Sequence, residues 1–178
     1  MNAVVNHIKI ETVSVAVVRE DLNHPVIQGN KWRKLKYNLL AAEQADAAGL
    51  LTFGGAYSNH LVATACAAKE AGLDSYGVVR GDELELQPEK WSQTLKDAQQ
   101  FGMKLCFVSR EAYRKKEQGN KVRSWLADLK GEVMVIPEGG SNLLAVRGVA
   151  ELVDELVAQN IRPTQLFCAT NSSTNSAT

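Results

Sequence analysis

The stretch LLTFGGAYSNH, residues 50–60, decides the fold class. Its apolar run at 50–53 predicts a strand, the glycine pair predicts a turn, and the polar residues after it predict a helix from residue 59. A helix that begins there points free backbone N–H groups at the turn, which favours an anion. The stretch therefore predicts one strand–turn–helix unit with a binding site at its turn.

The same unit repeats along the chain. We predict strands near 13–18, 50–53, 75–79, 103–108, 133–136 and 165–169, and helices near 31–48, 59–71, 89–101, 111–129 and 143–159. Short apolar strands separated by long helices need right-handed crossovers, which build a parallel sheet covered on both faces. We therefore expect an α/β fold, doubly wound, with a mainly parallel sheet. Ligands of such sheets bind beyond the carboxyl ends of the strands.

A lysine opens the first predicted helix, in the segment GNKWRKL at residues 29–35. An ammonium group is disfavoured at a helix N-terminus, so Lys31 tends towards the neutral amine that reacts with carbonyl compounds. Lys34, one turn on, would lower the pKa of that amine further, although plain solvent exposure is an equal alternative for it. The charged loop at 19–21 would orient the lysine segment through an ion pair, or form only a surface pair.

Three motifs together resemble the 1-aminocyclopropane-1-carboxylate deaminase/D-cysteine desulfhydrase family. They are GNKWRKL at 29–35, GGAYSNH at 54–60 and IPEGGSN at 136–142. Members of that family are pyridoxal-phosphate enzymes of the tryptophan synthase β type (fold type II), and the resemblance covers about residues 13–170. It implies an enzyme, a lyase or deaminase, that releases ammonia and a 2-oxo acid from a small amino acid such as D-cysteine or 1-aminocyclopropane-1-carboxylate.

The resemblance also implies roles for individual residues. Lys31 would form the Schiff base with the cofactor and, once displaced, act as a base near the substrate. Asn59 would contact the hydroxyl of the pyridine ring, with Lys34 as a further cofactor-binding residue. Ser58, also catalytic, would hold the substrate carboxylate together with Asn59 and His60. A helix N-cap remains the alternative for Ser58, and a hydrogen bond within the helix turn remains the alternative for His60.

The resemblance fails after the predicted strand at 165–169. There the family continues with a glycine-rich turn whose backbone amides hold the cofactor phosphate, whereas residues 170–178 of this chain contain no glycine. Glycine lets the backbone approach a phosphate closely, often at positive φ. We therefore expect weak or absent binding of pyridoxal phosphate. The alternative function is a catalytically silent fragment that acts only as a self-associating α/β domain.

The family's domain plan has one lobe inserted into the other. By resemblance, residues 34–138 form the smaller lobe, and residues 1–33 and 139–169 form part of the larger one. Residues 170–178 are almost all Ser, Thr or Asn, and we expect a disordered tail there. Because strands of the larger lobe would be missing, apolar faces at 13–18, 143–156 and 165–169 predict a homo-oligomer.

Composition excludes several other classes of function. The chain of 178 residues has 20 basic and 20 acidic side chains, which disfavours nucleic-acid and anionic-membrane partners. No stretch suits a membrane span or a signal peptide, so we expect a cytoplasmic protein. The dispersed cysteines predict reduced, buried thiols, and the histidines show no metal-ligand spacing, so we predict no metal site. These residues are Cys66, Cys106 and Cys168, and His7, His24 and His60.

Overall fold

The centre of the protein is a four-stranded parallel sheet. The structure is a computed structural model, and it describes residues 3–129 and 131–168. An N-terminal hairpin of β1 (Val5–Ile10) and β2 (Val13–Val18) precedes the sheet. The sheet contains β3 (Gly49–Gly55), β4 (Asp74–Arg80), β5 (Lys104–Val108) and β6 (Val133–Val135), in the order β5-β4-β3-β6. The helices are α1 (Lys31–Gln44), α2 (Asn59–Glu70), α3 (Gln93–Gln100), α4 (Arg110–Arg114), α5 (Asn120–Ala127) and α6 (Leu143–Ala158).

Helices cover both faces of the sheet. On one face Leu50 packs against side chains of α1 and α2, among them Leu35 and Cys66. On the other face Leu51 and Phe53 pack against α4 and α5 through Tyr113 and Val122. Successive strand residues point to opposite faces, so each central strand is buried on both sides. The doubly wound, mainly parallel α/β fold is therefore confirmed.

The N-terminal hairpin differs from the prediction. Strand 13–18 has the predicted bounds, but it pairs antiparallel with β1 rather than joining the parallel sheet. The sequence of β1, VNHIKI, carries too few apolar residues to read as a buried strand, and most of it is exposed. A two-residue turn joins the two strands, with Glu11 at a φ of 53°.

Two predicted helices are interrupted. The one predicted at 89–101 consists of a 3₁₀ turn at Pro88–Lys90 followed by α3, which is capped by the Ser92 side chain. The one predicted at 111–129 is split into α4, a 3₁₀ turn at Lys116–Gln118 and α5. The break falls where Lys116 adopts a φ of 49°. Non-glycine residues rarely adopt this conformation, and apolar periodicity cannot show it.

The predicted strand at 165–169 is wrong for the residues that the structure describes. Residues 165–168 form no strand, and Leu166 and Phe167 are 78% and 89% exposed. An apolar run becomes a strand only when a partner pairs with its backbone groups, and no strand in the described part of the chain pairs with this run. Cys168 is exposed, against prediction, while Cys66 and Cys106 are buried as predicted.

Two further expectations concern the C-terminal turn and tail and the absence of a membrane span. The glycine-free turn and tail at 170–178 lie outside the described residues. Within the described part, no helix is both long and apolar enough to cross a bilayer.

Candidate active site

Lys31 is the first residue of α1, as predicted, and it is half-buried. Its Nζ donates a hydrogen bond to the carbonyl oxygen of Gly139 at 3.4 Å. The Nζ of Lys34 donates to the same oxygen at 3.2 Å and to the Ser141 hydroxyl at 3.1 Å. Two ammonium groups therefore converge on one backbone carbonyl.

The environment of Lys31 favours its neutral amine. Burial lowers the pKa of Lys31, and the charge of Lys34 lowers it further. The direction is the one expected from the sequence, and so is the contribution of Lys34. The larger cause is burial, rather than the positive end of the helix.

The carbonyl that both lysines share belongs to a turn of two glycines. Gly139 and Gly140 have φ values of 69° and 68°, which side chains with a Cβ rarely adopt. A Cβ on Gly140 would lie 3.0 Å from Cε1 of His60 and 3.7 Å from Cβ of Lys34. The turn therefore brings together the N-terminal ends of α1 and α2.

His60 lies below this turn, with only 3% of its surface exposed. The Thr52 hydroxyl donates to the carbonyl of Ile136 at 2.9 Å, so it accepts from Nε2–H of His60, also at 2.9 Å. The buried Nδ1 has no hydrogen-bond partner among the described residues. Burial lowers the pKa of His60 to about 3, with Lys31 and Lys34 adding to the effect. The ring is therefore neutral near pH 7 and lies in the core.

Ser58 and Asn59 occupy the start of α2. Ser58 is half-buried at the N-cap position, and its side chain makes no capping hydrogen bond. Its hydroxyl lies against Gly54, where a Cβ would come within 2.6 Å of Oγ. Asn59 is exposed. Within the described structure, the Ser58 side chain therefore does not cap the helix, although Ser58 occupies the N-cap position.

The structure brings three of the predicted site residues together around the glycine turn and places the other two next to them in the chain. Lys31, Lys34 and His60 surround the Gly139–Gly140 turn, and Ser58 and Asn59 directly precede His60. The sequence showed the Gly139–Gly140 turn as part of a motif, but it did not show that the Gly139 carbonyl accepts hydrogen bonds from both lysines. Nor did it show a role for Thr52, whose place before the glycine pair offered no signal beyond a polar residue inside an apolar strand.

An ion-pair network holds the lysine segment in place. Arg33 is buried, and its Nε donates to Glu20 at 2.7 Å. Its two terminal nitrogens donate to the carboxylate of Glu155, in α6, at 3.0 and 2.9 Å. The predicted ion pair of the 19–21 loop is thus formed by Glu20, whereas Arg19 pairs with Asp21 within the loop itself.

A second polar cluster lies away from this site. His24, Cys66 and Glu70 bring ligand-type atoms within 4.8 Å of one another, a proximity that their spacing in sequence did not show. However, Nδ1 of His24 accepts the backbone N–H groups of Val26 and Ile27. Nε2 therefore carries the proton and donates to Glu70 at 3.0 Å. Such a histidine has no lone pair left for a metal, so the cluster is held by hydrogen bonds.

Comparisons with known proteins identify the family of the chain. The family profile described as "pyridoxal-phosphate dependent enzyme" matches residues 4–177. The chain belongs to that family. A protein of Thermotoga maritima, assigned by its name as a 1-aminocyclopropane-1-carboxylate deaminase, is 35% identical over 164 residues, which cover 89% of this chain and 50% of the relative.

Further matches point the same way. A bifunctional D-cysteine desulfhydrase/1-aminocyclopropane-1-carboxylate deaminase of Arabidopsis thaliana is 31% identical, covering 84% of this chain and 39% of the relative. The crystal structure of an ACC deaminase homologue superimposes with a TM-score of 0.68 and 29% identity, covering 82% of this chain and 43% of that one. The resemblance seen in the sequence is confirmed, and the chain spans about half the length of the relatives it matches.

The described residues fit one end of the family's cofactor. A half-buried lysine whose pKa is lowered suits the aldehyde of pyridoxal phosphate, because only the neutral amine attacks a carbonyl. The residues that would meet the phosphate fall at 170–178, outside the described part of the chain.

Proposed function

We propose that this site performs pyridoxal-phosphate chemistry on a small amino acid of the D-cysteine or 1-aminocyclopropane-1-carboxylate type, with release of ammonia and a 2-oxo acid. The observation that carries the proposal is the half-buried Lys31 amine beside Lys34 and the Gly139 carbonyl. The names of the Thermotoga maritima and Arabidopsis thaliana relatives support this substrate class.

The roles of the residues follow from their positions. Pyridoxal phosphate, when bound, supplies an electron sink for the bonds at the substrate's α carbon. Lys31 holds the cofactor and then moves a proton at the α or β carbon of the substrate. Lys34 donates to the Gly139 carbonyl, and its charge favours the neutral form of Lys31. Because both ammonium groups use the same acceptor, Lys31 can leave it while Lys34 stays.

The start of α2 would bind the carboxylate of the substrate. The Ser58 hydroxyl makes no capping hydrogen bond in the described structure, and the first N–H groups of a helix attract a carboxylate. Asn59, exposed next to it, would bind the ring hydroxyl of the cofactor. His60 would act through its backbone and by packing under the turn, since its ring is buried and neutral.

We propose that cofactor affinity is weak, because residues 170–178 offer no glycine to approach the phosphate. Losing several charge-assisted amide contacts would cost affinity by orders of magnitude. In the domain plan we propose, residues 34–138 form the smaller lobe and residues 1–33 and 139–169 belong to the larger one. A cytoplasmic location is part of the same proposal.

A titration with pyridoxal phosphate tests the function. The visible absorbance that the cofactor gains on binding an amine should rise with added protein, and borohydride followed by peptide mapping should place the label on Lys31. Lys31→Ala should abolish the label, whereas Lys36→Ala, on the same helix but bonded to Glu151, should retain it. A label spread over surface lysines, equal in both variants, would refute the proposed site.

A second candidate function is self-association without catalysis. One side of α6 packs against α1, with Gly148 lying directly against the backbone of Arg33. Glu151, Glu155 and the N-cap residue Asn142 also bond to α1 on this side. The opposite face of α6 is apolar and exposed, with Leu143 and Val146 at 87% and 65% and Val153 and Val157 at 62% and 51%. These residues recur at helical spacing and form a stripe that a second copy would cover.

Light scattering tests self-association, because it measures the oligomeric state in solution. We expect a dimer or larger oligomer at micromolar concentration, and dissociation in the variant Val146→Lys/Val153→Lys. A stable monomer of the unmodified chain would refute it.

A further inference from the structure

A small polar hollow lies at the carboxyl ends of β3, β4 and β5, beside the turn into α2. Its volume is about 310 Å³. Its walls include three cationic side chains, Arg80, Lys90 and Arg110, and one carboxylate, Glu83. None of the active-site residues named above lines it, so it is a separate feature of the same sheet edge.

The positive charges of the hollow are not neutralised by ion pairs. Across residues 3–129 and 131–168, no carboxylate lies within 4 Å of the charged nitrogens of Arg80, Lys90 or Arg110. Three cations and one carboxylate leave the lining with a formal charge of +2. A concave surface with such an excess concentrates small anions.

Arg80 is positioned by an aromatic ring rather than by a carboxylate. It is the last residue of β4, and its guanidinium carbon lies 5.6 Å from the centroid of the Tyr113 ring. Tyr113 is buried and contacts Phe53 edge-on. Gly55 also lies close to Arg80, since a Cβ there would be 3.5 Å from a terminal nitrogen of the guanidinium. Arg80 is exposed, so its N–H donors are accessible at the hollow while its guanidinium contacts the ring.

The walls of the hollow are fixed as well. Gly81 has a φ of 134°, and this directs the chain into the 3₁₀ turn Asp82–Leu84, which contributes Glu83. The hydroxyl of Ser92, another lining residue, donates to the carbonyl of Ala56 and ties the 55–57 segment to the start of α3. Both walls are therefore held by local structure rather than by a ligand.

We propose that this hollow binds a small phosphate-type oxyanion, either free phosphate or the phosphate group of a small metabolite. Guanidinium groups offer paired N–H donors that match the oxygens of phosphate, and the hollow has two of them. A lining of charge +2 suits a dianion better than a monocarboxylate. The carboxyl edge of a parallel sheet is also where ligands of such folds bind.

Isothermal titration calorimetry of the full chain in low salt tests the proposal, with inorganic phosphate in one arm and O-phosphoserine in the other. We expect saturable binding in at least one arm, weakened about tenfold or more in Arg80→Gln and in Arg110→Gln. Lys9→Gln removes an equal charge from the exposed strand β1 and should leave affinity unchanged. Binding of phosphate alone identifies the free ion as the ligand, and binding of the ester identifies the phosphate group.

The proposal is overturned if neither arm shows saturable binding, or if Lys9→Gln weakens binding as much as the arginine variants do. Arg80 and Arg110 lie on different elements, so a folding defect in one variant leaves the other as a test. The measurement needs no pyridoxal phosphate. Failure here therefore leaves the proposed catalytic function standing, and failure of that function leaves this site standing.

Discussion

Arg33 and Glu155 join α1 to α6 through two parallel hydrogen bonds, 3.0 and 2.9 Å long. The arginine is buried, and the carboxylate is 13% exposed. Arg33 follows Lys31 by two residues, so the pair fixes the end of the helix that presents the amine. Its hydrogen bonds to Arg33 hold the pKa of Glu155 below the usual value.

Glu155→Ala should lower the free energy of unfolding by about 2–4 kcal/mol, because it leaves Arg33 buried with only Glu20 as a partner. Urea denaturation measures the loss. Asp154→Ala, at an exposed acid on the same helix, should stay within about 0.5 kcal/mol. Because the folded pKa of Glu155 is lowered, its contribution is present above the unfolded pKa and is lost as the pH falls. Equal effects of the two variants would contradict the role of the pair.

Lys34→Gln should raise the pKa of the Lys31 amine, because the charge of Lys34 lowers it. Labelling with formaldehyde and borohydride as a function of pH, read at Lys31 by mass spectrometry, measures the change. The midpoint for Lys31 should move to higher pH in the variant. Lys36→Gln, which removes an ammonium that bonds to Glu151, should leave the midpoint in place. No shift in either variant would show that the two lysines are not coupled.

His60→Gln should flatten the loss of stability in acid. The folded pKa of His60 is about 3, well below the unfolded value. The unfolded chain therefore binds the proton first, and stability falls as the pH drops below about 6.5, by up to about 1.4 kcal/mol per pH unit. Glutamine keeps a donor for Thr52 but does not titrate. Chemical denaturation at several pH values compares the slopes, and parallel curves would contradict a buried neutral histidine.

Gly140→Ala should destabilise the turn more than Gly139→Ala. Both positions have nearly the same positive φ, so both variants carry a similar backbone strain. Only at Gly140 does the new Cβ meet a buried ring, 3.0 Å from Cε1 of His60, whereas at Gly139 the nearest atom is 3.9 Å away. The difference in unfolding free energy, about 1–3 kcal/mol, measures the crowding against His60. Equal losses of unfolding free energy in the two variants would mean that backbone strain alone causes the destabilisation, without crowding against His60.

Local features of the site could be read from the sequence. Lys31 begins α1 and Asn59 begins α2, as the sequence predicts, because helix starts depend on nearby residues. The shared Gly139 carbonyl could not be read, since the hydrogen bond from Lys31 crosses 108 residues. The strand predicted at 165–169 was wrong over 165–168, because an apolar pattern carries no information about whether a partner strand pairs with it.

The same separation between Lys31 and Gly139 governs when the site can exist during synthesis. A ribosome releases α1 long before it releases β6 and the glycine turn, and loops of that length close late. Until residue 140 has left the exit tunnel, the two lysines lack their acceptor, and His60 lacks the turn that covers it. The surroundings of the Lys31 amine are thus completed only after the other strands of the described sheet, and the nascent chain has no formed lysine site until the glycine turn has emerged.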